Sequence, residues 1–249
     1  MSDIVLSNLR KTFNNGRTEV LSDISFEVKA GEFACILGPS GCGKTTLINC
    51  IAGIDNPSSG KIVAAGKEVR GPSPERSVVF QSFALFPWLS AYRNVSFGLE
   101  LAGKKRPEIA RTVNGVLKLV GLSGFENHYP GQLSGGMRQR LGIARALAVN
   151  PKILLMDEPF GALDALTRSV LERETARIWK ETGTTILFVT QNIDEAIMLG
   201  DKIYLFTALP GRLKKVFEPP HEQPRLYSKH PDLLELRDTV ISLFKEELR

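Results

Sequence analysis

Cysteine is scarce in this chain, with only Cys35, Cys42 and Cys50 among 249 residues. An odd count without framework spacing excludes a disulfide scaffold. Histidine is equally scarce, at His128, His221 and His230. None is near a cysteine in sequence, so no zinc site is expected. No apolar run approaches the ~18–20 residues of a membrane span. The opening MSDIVLSNLRKTF alternates apolar and polar residues instead of forming a continuous apolar core, so no signal peptide is expected. Repeats, low-complexity segments and Lys/Arg-rich runs are also missing. The net charge of +5 is scattered along the chain, which gives no footprint for nucleic acid. The expectation is a protein of a reducing cytoplasm that meets a membrane only through a partner.

What is present is ordinary globular composition, 43% hydrophobic and 24% charged, long enough to bury a sizeable core. Ile24, Phe26 and Val28 alternate with polar residues, as in a half-buried strand. FACIL (33–37), KILLM (152–156), TILFV (185–189) and KIYLF (202–206) are short continuous apolar runs, which suit strands buried on both faces of a parallel sheet. KTTLINCIAG (44–53) reads as a helix stopped by Gly53. The segment 165–181 reads as the helix of a strand–helix–strand crossover.

The middle of the chain changes character. PEIARTVNGVLKLVGL (107–122) has Pro at a first helical position and Gly121 at its end, with Ile109, Val113, Val116 and Val120 as its apolar face. A second helix runs over 136–149 and is ended by Asn150-Pro151. The tail carries an amphipathic helix with Leu233, Leu236, Val240, Leu243 and Leu248 on one face, expected to dock on its own domain. The expected division is an α/β core over 1–85 and 151–220, a helical insertion over 86–150, and a tail over 221–249.

Two motifs carry chemistry. GPSGCGKTT (38–46) fits G-x-x-x-x-G-K-[ST] between a strand and a helix. Glycines let successive N–H groups turn inward toward phosphate, and the helix start adds positive potential. Gly38, Pro39, Ser40, Gly41, Cys42, Gly43, Lys44, Thr45 and Thr46 are therefore candidate phosphate contacts. The Lys44 ammonium can reach the terminal phosphates, and the Thr45 hydroxyl is a hard ligand for Mg²⁺. Cys42, beside a helix start, is expected to have a lowered thiol pKa. The second motif, LLMDEP (154–159), puts Asp157 and Glu158 at a strand's carboxyl end. There Asp157 can hold Mg²⁺ and Glu158 can activate a water for attack on the γ-phosphorus.

LSGGMRQR (133–140) lies between the two and opens a second helix on Ser-Gly-Gly. The order of phosphate loop, LSGGMRQR and DE strand resembles the ATP-binding cassette (ABC) ATPases over about 4–212. The resemblance implies a P-loop NTPase (RecA-like) α/β core with an N-terminal antiparallel β subdomain and an inserted α-helical subdomain. It implies ATP and Mg²⁺ as cofactors. Two ATPs would be sandwiched between this chain and a second copy or a homologous subunit. Ser134, Gly135, Gly136 and the GALDA loop's Asp164 would then address the partner's nucleotide. By the same resemblance Phe13 stacks on adenine, and Gln81 touches Mg²⁺ and the attacking water. Phe83, Phe86 and Trp88 would form the apolar patch that receives a membrane permease. FQSFALFPWLSAYRNV, DEPFGALDALTR, ALPGR and PDLLELRD narrow the likeness to ATPase subunits of nitrate-, sulfonate- and taurine-type importers. Such subunits lie on the cytoplasmic side of the membrane and work indirectly with a solute-binding protein. ABC ATPases of DNA or ribosomes usually carry coiled-coil insertions or tandem cassettes, and this chain has neither.

One position departs from the family. Where most members place His-Asp after the strand TILFVT, this chain has Gln191-Asn192. An amide can donate to a phosphate and accept from water, but cannot carry a proton near neutral pH. Three readings stay open: Gln191 supports hydrolysis, Gln191 slows it and leaves a low-turnover ATP-binding subunit, or a different ATPase subunit completes the site.

Overall fold

In the computed structural model, which describes residues 2–223 and 225–248, three of the apolar runs are strands buried at every position. The chain begins with β1 (Ser2–Phe13), β2 (Thr18–Lys29), β3 (Phe33–Leu37) and α1 (Lys44–Ala52). It continues through β4 (Ser59–Ala64), β5 (Lys67–Glu68) and β6 (Arg76–Val79). The helices α2 (Ala91–Leu101), α3 (Arg106–Leu119) and α4 (Gly135–Ala148) follow. Then come β7 (Ile153–Asp157), α5 (Ala165–Thr182), β8 (Thr185–Thr190), α6 (Ile193–Leu199) and β9 (Lys202–Phe206). The chain closes with β10 (Leu213–Phe217) and α7 (Leu233–Glu246).

Six strands form one sheet in the order β10-β9-β3-β8-β7-β6, parallel except for the edge strand β10. Its two faces are sorted by the two-residue period of a strand. Phe33, Cys35, Leu37, Leu154, Met156, Ile186 and Phe188 point into a core with the helices α4 to α7. Ala34, Ile36, Ile153, Leu155, Leu187 and Val189 point into a second core with Leu47 and Ile51 of α1. The antiparallel sheet β2-β1-β4-β5 covers that second core with Ile4, Leu9, Ile24 and Ile62. Burial on both faces explains why the parallel strands read as unbroken apolar runs.

Helices α2, α3 and α4 pack on one another and share the core of one sheet face. On α3 the structure buries Ile109, Val113 and Leu117, with Val120 just past the helix end, whereas Val116 is only half-buried. The expected face was thus right except that Leu117 takes the place given to Val116. Gly121 takes the left-handed turn after the helix, at φ 68°.

The tail docks on its own domain, as expected. Arg225 is 2% exposed, and its guanidinium donates to the carbonyls of Pro219, Pro220, Ile197 and Gly200. On α7, Leu233 and Val240 are buried, while Leu236 and Leu243 pack half-buried against the core. Leu248 was expected on this face but is 64% exposed, because the helix stops at Glu246. An ion pair of Arg237 with Asp194, at 2.7 Å, ties α7 to α6.

Candidate functional site

Strand register assembles the site. Leu37 pairs with Thr190 and Asp157 pairs with Val189, so β3, β8 and β7 end level. The residues that follow, Gly38, Gln191 and Glu158, therefore emerge together at the carboxyl edge of the sheet, where open α/β sheets bind ligands.

A cleft of about 350 Å³ opens there, lined by Val20, Ser40, Gly41, Gly43, Lys44, Thr45, Thr46, Gln81, Glu158 and Gln191. Gly43 leads into α1 at φ 97°, and a Cβ there would sit 2.8 Å from Leu21 Cδ2. Only glycine fits both the angle and the space. The Lys44 side chain is buried and donates to the carbonyls of Gly38 (2.9 Å) and Pro39 (2.7 Å). Its ammonium also lies 3.3 Å from Glu158 Oε1. The loop thus folds around its own lysine.

Glu158 departs from the strand at φ 43°, with its N–H donating to Val189 O at 2.9 Å. That left-handed turn swings the carboxylate into the cleft and costs on the order of 1 kcal/mol, which the surrounding structure must cover. There Gln191 Nε2 donates to both Glu158 oxygens, at 2.9 and 2.7 Å. The amide at the sequence's one departure from its family therefore holds the carboxylate that the sequence singles out as a base.

Asp157 is 7% exposed, and burial pushes its carboxyl up, partly offset by the Thr45 hydroxyl. Its Oδ1 is buried with no hydrogen-bond partner. An orphaned carboxylate oxygen is costly unless something satisfies it. With the Thr45 hydroxyl and the Gln81 side chain at the same cleft, the donor set is hard oxygen and suits Mg²⁺.

Cys42 corrects an expectation. Its side chain is fully buried, and burial raises the thiol pKa although Lys44 pulls it down. The helix start does not win, because the thiol turns into the core and not toward solvent. Cys42 in the native chain is expected to resist iodoacetamide near neutral pH, with or without ATP. Labelling should appear only on unfolding, and mass spectrometry of native and denatured samples reads the difference.

Phe13 is 40% exposed at the end of β1, paired with Thr18 two residues from the cleft-lining Val20. Lys11 Nζ covers its ring at 4.7 Å. It stands beside the cleft and not in its lining, an accessible aromatic face at the rim.

Ser134 and Asp164 lie outside this cleft. Each caps a helix start: the Ser134 hydroxyl accepts from Met137 N–H, and Asp164 Oδ1 from Thr167 N–H at 3.0 Å. The hydrogen bonds at its helix start hold the Asp164 carboxyl below its usual range. The two loops also pack together, a relation the sequence did not show. A Cβ on Gly135 would lie 3.1 Å from Leu163 Cδ2, and one on Gly136 2.8 Å from Thr167 Cγ2. Gly136 therefore allows α4 to approach the start of α5.

A second cavity of about 310 Å³ lies behind Gln191, lined by Gln81, Glu158, Gly161, Arg168, Thr190, Gln191, Asn192 and Glu195. Thr190 Oγ1 donates to Glu195 and accepts from Asn192 N–H, and Asn192 Oδ1 caps α6. These contacts fix the backbone on both sides of Gln191. None of these contacts was expected from the sequence, although Asn before Ile-Asp-Glu is a local signal for the cap.

Glu172 on α5 is 7% exposed, and its pKa is raised to about 7, chiefly by burial and then by Glu195. A raised carboxyl favours the protonated folded state, so its contribution is present below the unfolded value and is lost as pH rises through about 7. Glu172→Gln is expected to remove a loss on the order of 3 kcal/mol between pH 5 and 8. Denaturant melts of both proteins across that range measure it, and parallel curves would overturn the assignment.

The ABC transporter family pattern matches residues 21–161. An uncharacterised ABC transporter ATP-binding protein of Methanocaldococcus jannaschii is 47% identical over 98% of this chain and 91% of its own length. The taurine import ATP-binding protein TauB of Pelagibacter ubique is 42% identical over 98% of this chain and 95% of its own. A dimeric ATP-binding cassette solved after hydrolysis, with ADP and Pi bound, superposes with TM-score 0.74 at 33% identity. That match covers 88% of this chain and all of the cassette. With a phosphate loop, an adjoining carboxylate pair and these relatives, the chain belongs to the ABC transporter family and is one of its ATP-hydrolysing subunits.

Proposed function

We propose that the chain is the motor of an importer for a small sulfonate-bearing organic solute of the taurine type. Its location would be the cytoplasmic face of the membrane, under a permease and a solute-binding protein. The observation that carries the reading is the meeting of Lys44, Glu158 and Gln191 within one cleft, in a chain whose relatives are named for taurine import. In this reading 1–85 and 151–220 form the nucleotide core, 86–150 the helical subdomain and 221–249 the tail.

The loop N–H groups and Lys44 bind the triphosphate, and Phe13 offers its ring to adenine. Thr45, Gln81 and Asp157 would hold Mg²⁺, which supplies charge neutralisation at the terminal phosphates when bound. Glu158 accepts the proton of the attacking water, and Gln191 orients that carboxylate. Ser134, Gly135, Gly136 and Asp164 lie away from this chain's own cleft, which supports their use on a partner's ATP in a dimer.

The permease would meet an apolar groove of about 570 Å³ between the core and the helical subdomain. Phe86 lines it, its ring tilted 50° to that of Phe97 with centroids 4.7 Å apart, and Trp88 beside it is 70% exposed. Ile54 and Phe97 join this surface and carried no sequence signal. Phe83 takes a different place: it is half-buried, with the Arg138 guanidinium 5.4 Å from its ring, and does not line the groove. Asn94 fixes the 86–90 loop by bonds to Phe86, Leu89 and Ser90.

Reconstitution into liposomes with a permease and solute-binding protein of the taurine type from the same organism tests the reading. ATP-dependent uptake of taurine or a related sulfonate is expected. ATPase activity without uptake of any such solute would leave the motor and remove the solute class. A second reading, a low-turnover gating subunit, is favoured by one observation: Gln191 Nε2 points at Glu158 on both its contacts. Steady-state phosphate release distinguishes the two.

A further inference from the structure

Two histidines and an aspartate of the tail meet at one point that the nucleotide chemistry does not use. His221 follows Pro219 and Pro220 beyond β10, while His230 and Asp232 stand at the start of α7. His221 Nε2 lies 2.7 Å from Asp232 Oδ2. The two imidazoles stack with centroids 4.0 Å apart and planes 18° from parallel. One ligand atom from each of the three residues lies within 4.8 Å of the others, and among the described residues no other such group of His, Cys, Asp or Glu is found.

We propose that His221, His230 and Asp232 bind a divalent transition-metal cation of the zinc type.

The donor set selects the metal. Two imidazole nitrogens and one carboxylate oxygen suit Zn²⁺ and its neighbours, whereas Mg²⁺ and Ca²⁺ prefer all-oxygen shells. Zinc bonds of about 2.0–2.2 Å hold donors no more than about 4 Å apart. The observed cluster needs a contraction of about an ångström, within reach of side-chain rotation at an exposed site.

Asp232 supplies a second observation. It immediately precedes α7, with a helical backbone at φ −60° and ψ −23° that does not favour capping of the first-turn N–H groups. Here it makes no such bond and turns to His221 instead. An exposed His–Asp pair contributes little by itself. A cation shared by all three donors would compensate for the ordering of two rings and a carboxylate at one point.

The ion would tie the segment after β10 to the start of α7. That helix is anchored to α6 through Arg237 and Tyr227, both bonded to Asp194. Asp194 stands three residues after Gln191, so the tie would fasten the tail onto the element that follows the catalytic edge.

The test titrates Zn²⁺ into tag-free, nucleotide-free full-length protein in millimolar Mg²⁺, followed by calorimetry. One zinc per chain is expected, weakened roughly tenfold or more by His221→Ala or by His230→Ala. Ring-proton NMR of the unaltered chain gives a second readout that needs no variant. The His221 and His230 signals should shift at one equivalent of zinc while His128 stays in place. Unchanged affinity in the double variant, or unmoved His221 and His230 signals, would overturn the proposal.

Discussion

Glu158→Gln is expected to abolish steady-state ATP turnover while ATP still binds. The substitution removes the carboxylate that the geometry places in the cleft beside Lys44 and Gln191. A positioned general base contributes about 10²–10⁴ in rate. Binding should survive because the phosphate loop is untouched, although the new amide can accept from Gln191 through one oxygen only. The variant also loses the charge facing Lys44, which frees the ammonium for phosphate. ATP affinity is therefore expected to hold or rise. Phosphate release and nucleotide binding, measured on the same preparation, separate the two effects. Turnover near the unaltered rate would show that the base lies elsewhere.

Gln191 carries the second large effect. Its amide is the direct support of the Glu158 carboxylate, with both oxygens engaged. Gln191→Ala leaves that carboxylate held by Lys44 alone, on a backbone already in the left-handed region. Losing a preorganised donor at such a site costs about 10²–10³ in rate. The loss should fall on kcat more than on KM, because the phosphate loop is intact. An unchanged kcat would mean that Gln191 is a bystander.

Gln191→His asks a finer question. A neutral imidazole offers one N–H where the amide donates to two oxygens, and it titrates near pH 6.5. The variant should therefore gain a pH dependence below about 7 that a glutamine at this position cannot have. Faster turnover with that new dependence would mark Gln191 as a weakened substitute. A lower rate at every pH would mean the site is built for the amide.

The site could be read largely from single motifs, because the phosphate loop and the DE pair are local. Each states its chemistry in fewer than ten consecutive residues. What could not be read was orientation. Cys42 is adjacent to the phosphate loop's last glycine, yet its side chain turns inward and is buried, so proximity in sequence misjudged its reactivity. Phe83 and Phe86 are three residues apart in one aromatic run, but Phe83 packs half-buried beside Arg138 while Phe86 lines the groove. Leu248 continues the spacing of the tail helix past the point where the helix ends.

The sequence by itself determined which segments are strands buried on both faces, where the loop for phosphate lies, and which two carboxylates follow a strand. Those properties follow from local periodicity and from backbone freedom at glycine, which neighbours in the chain already specify. The tertiary structure alone decided that β3, β8 and β7 end level, so that Gly38, Gln191 and Glu158 share one edge. It alone placed the Gln191 amide on both oxygens of Glu158, and brought His221 to His230 and Asp232. Strand register and long-range side-chain meeting are set by how whole elements pack, and no short stretch of chain contains that information.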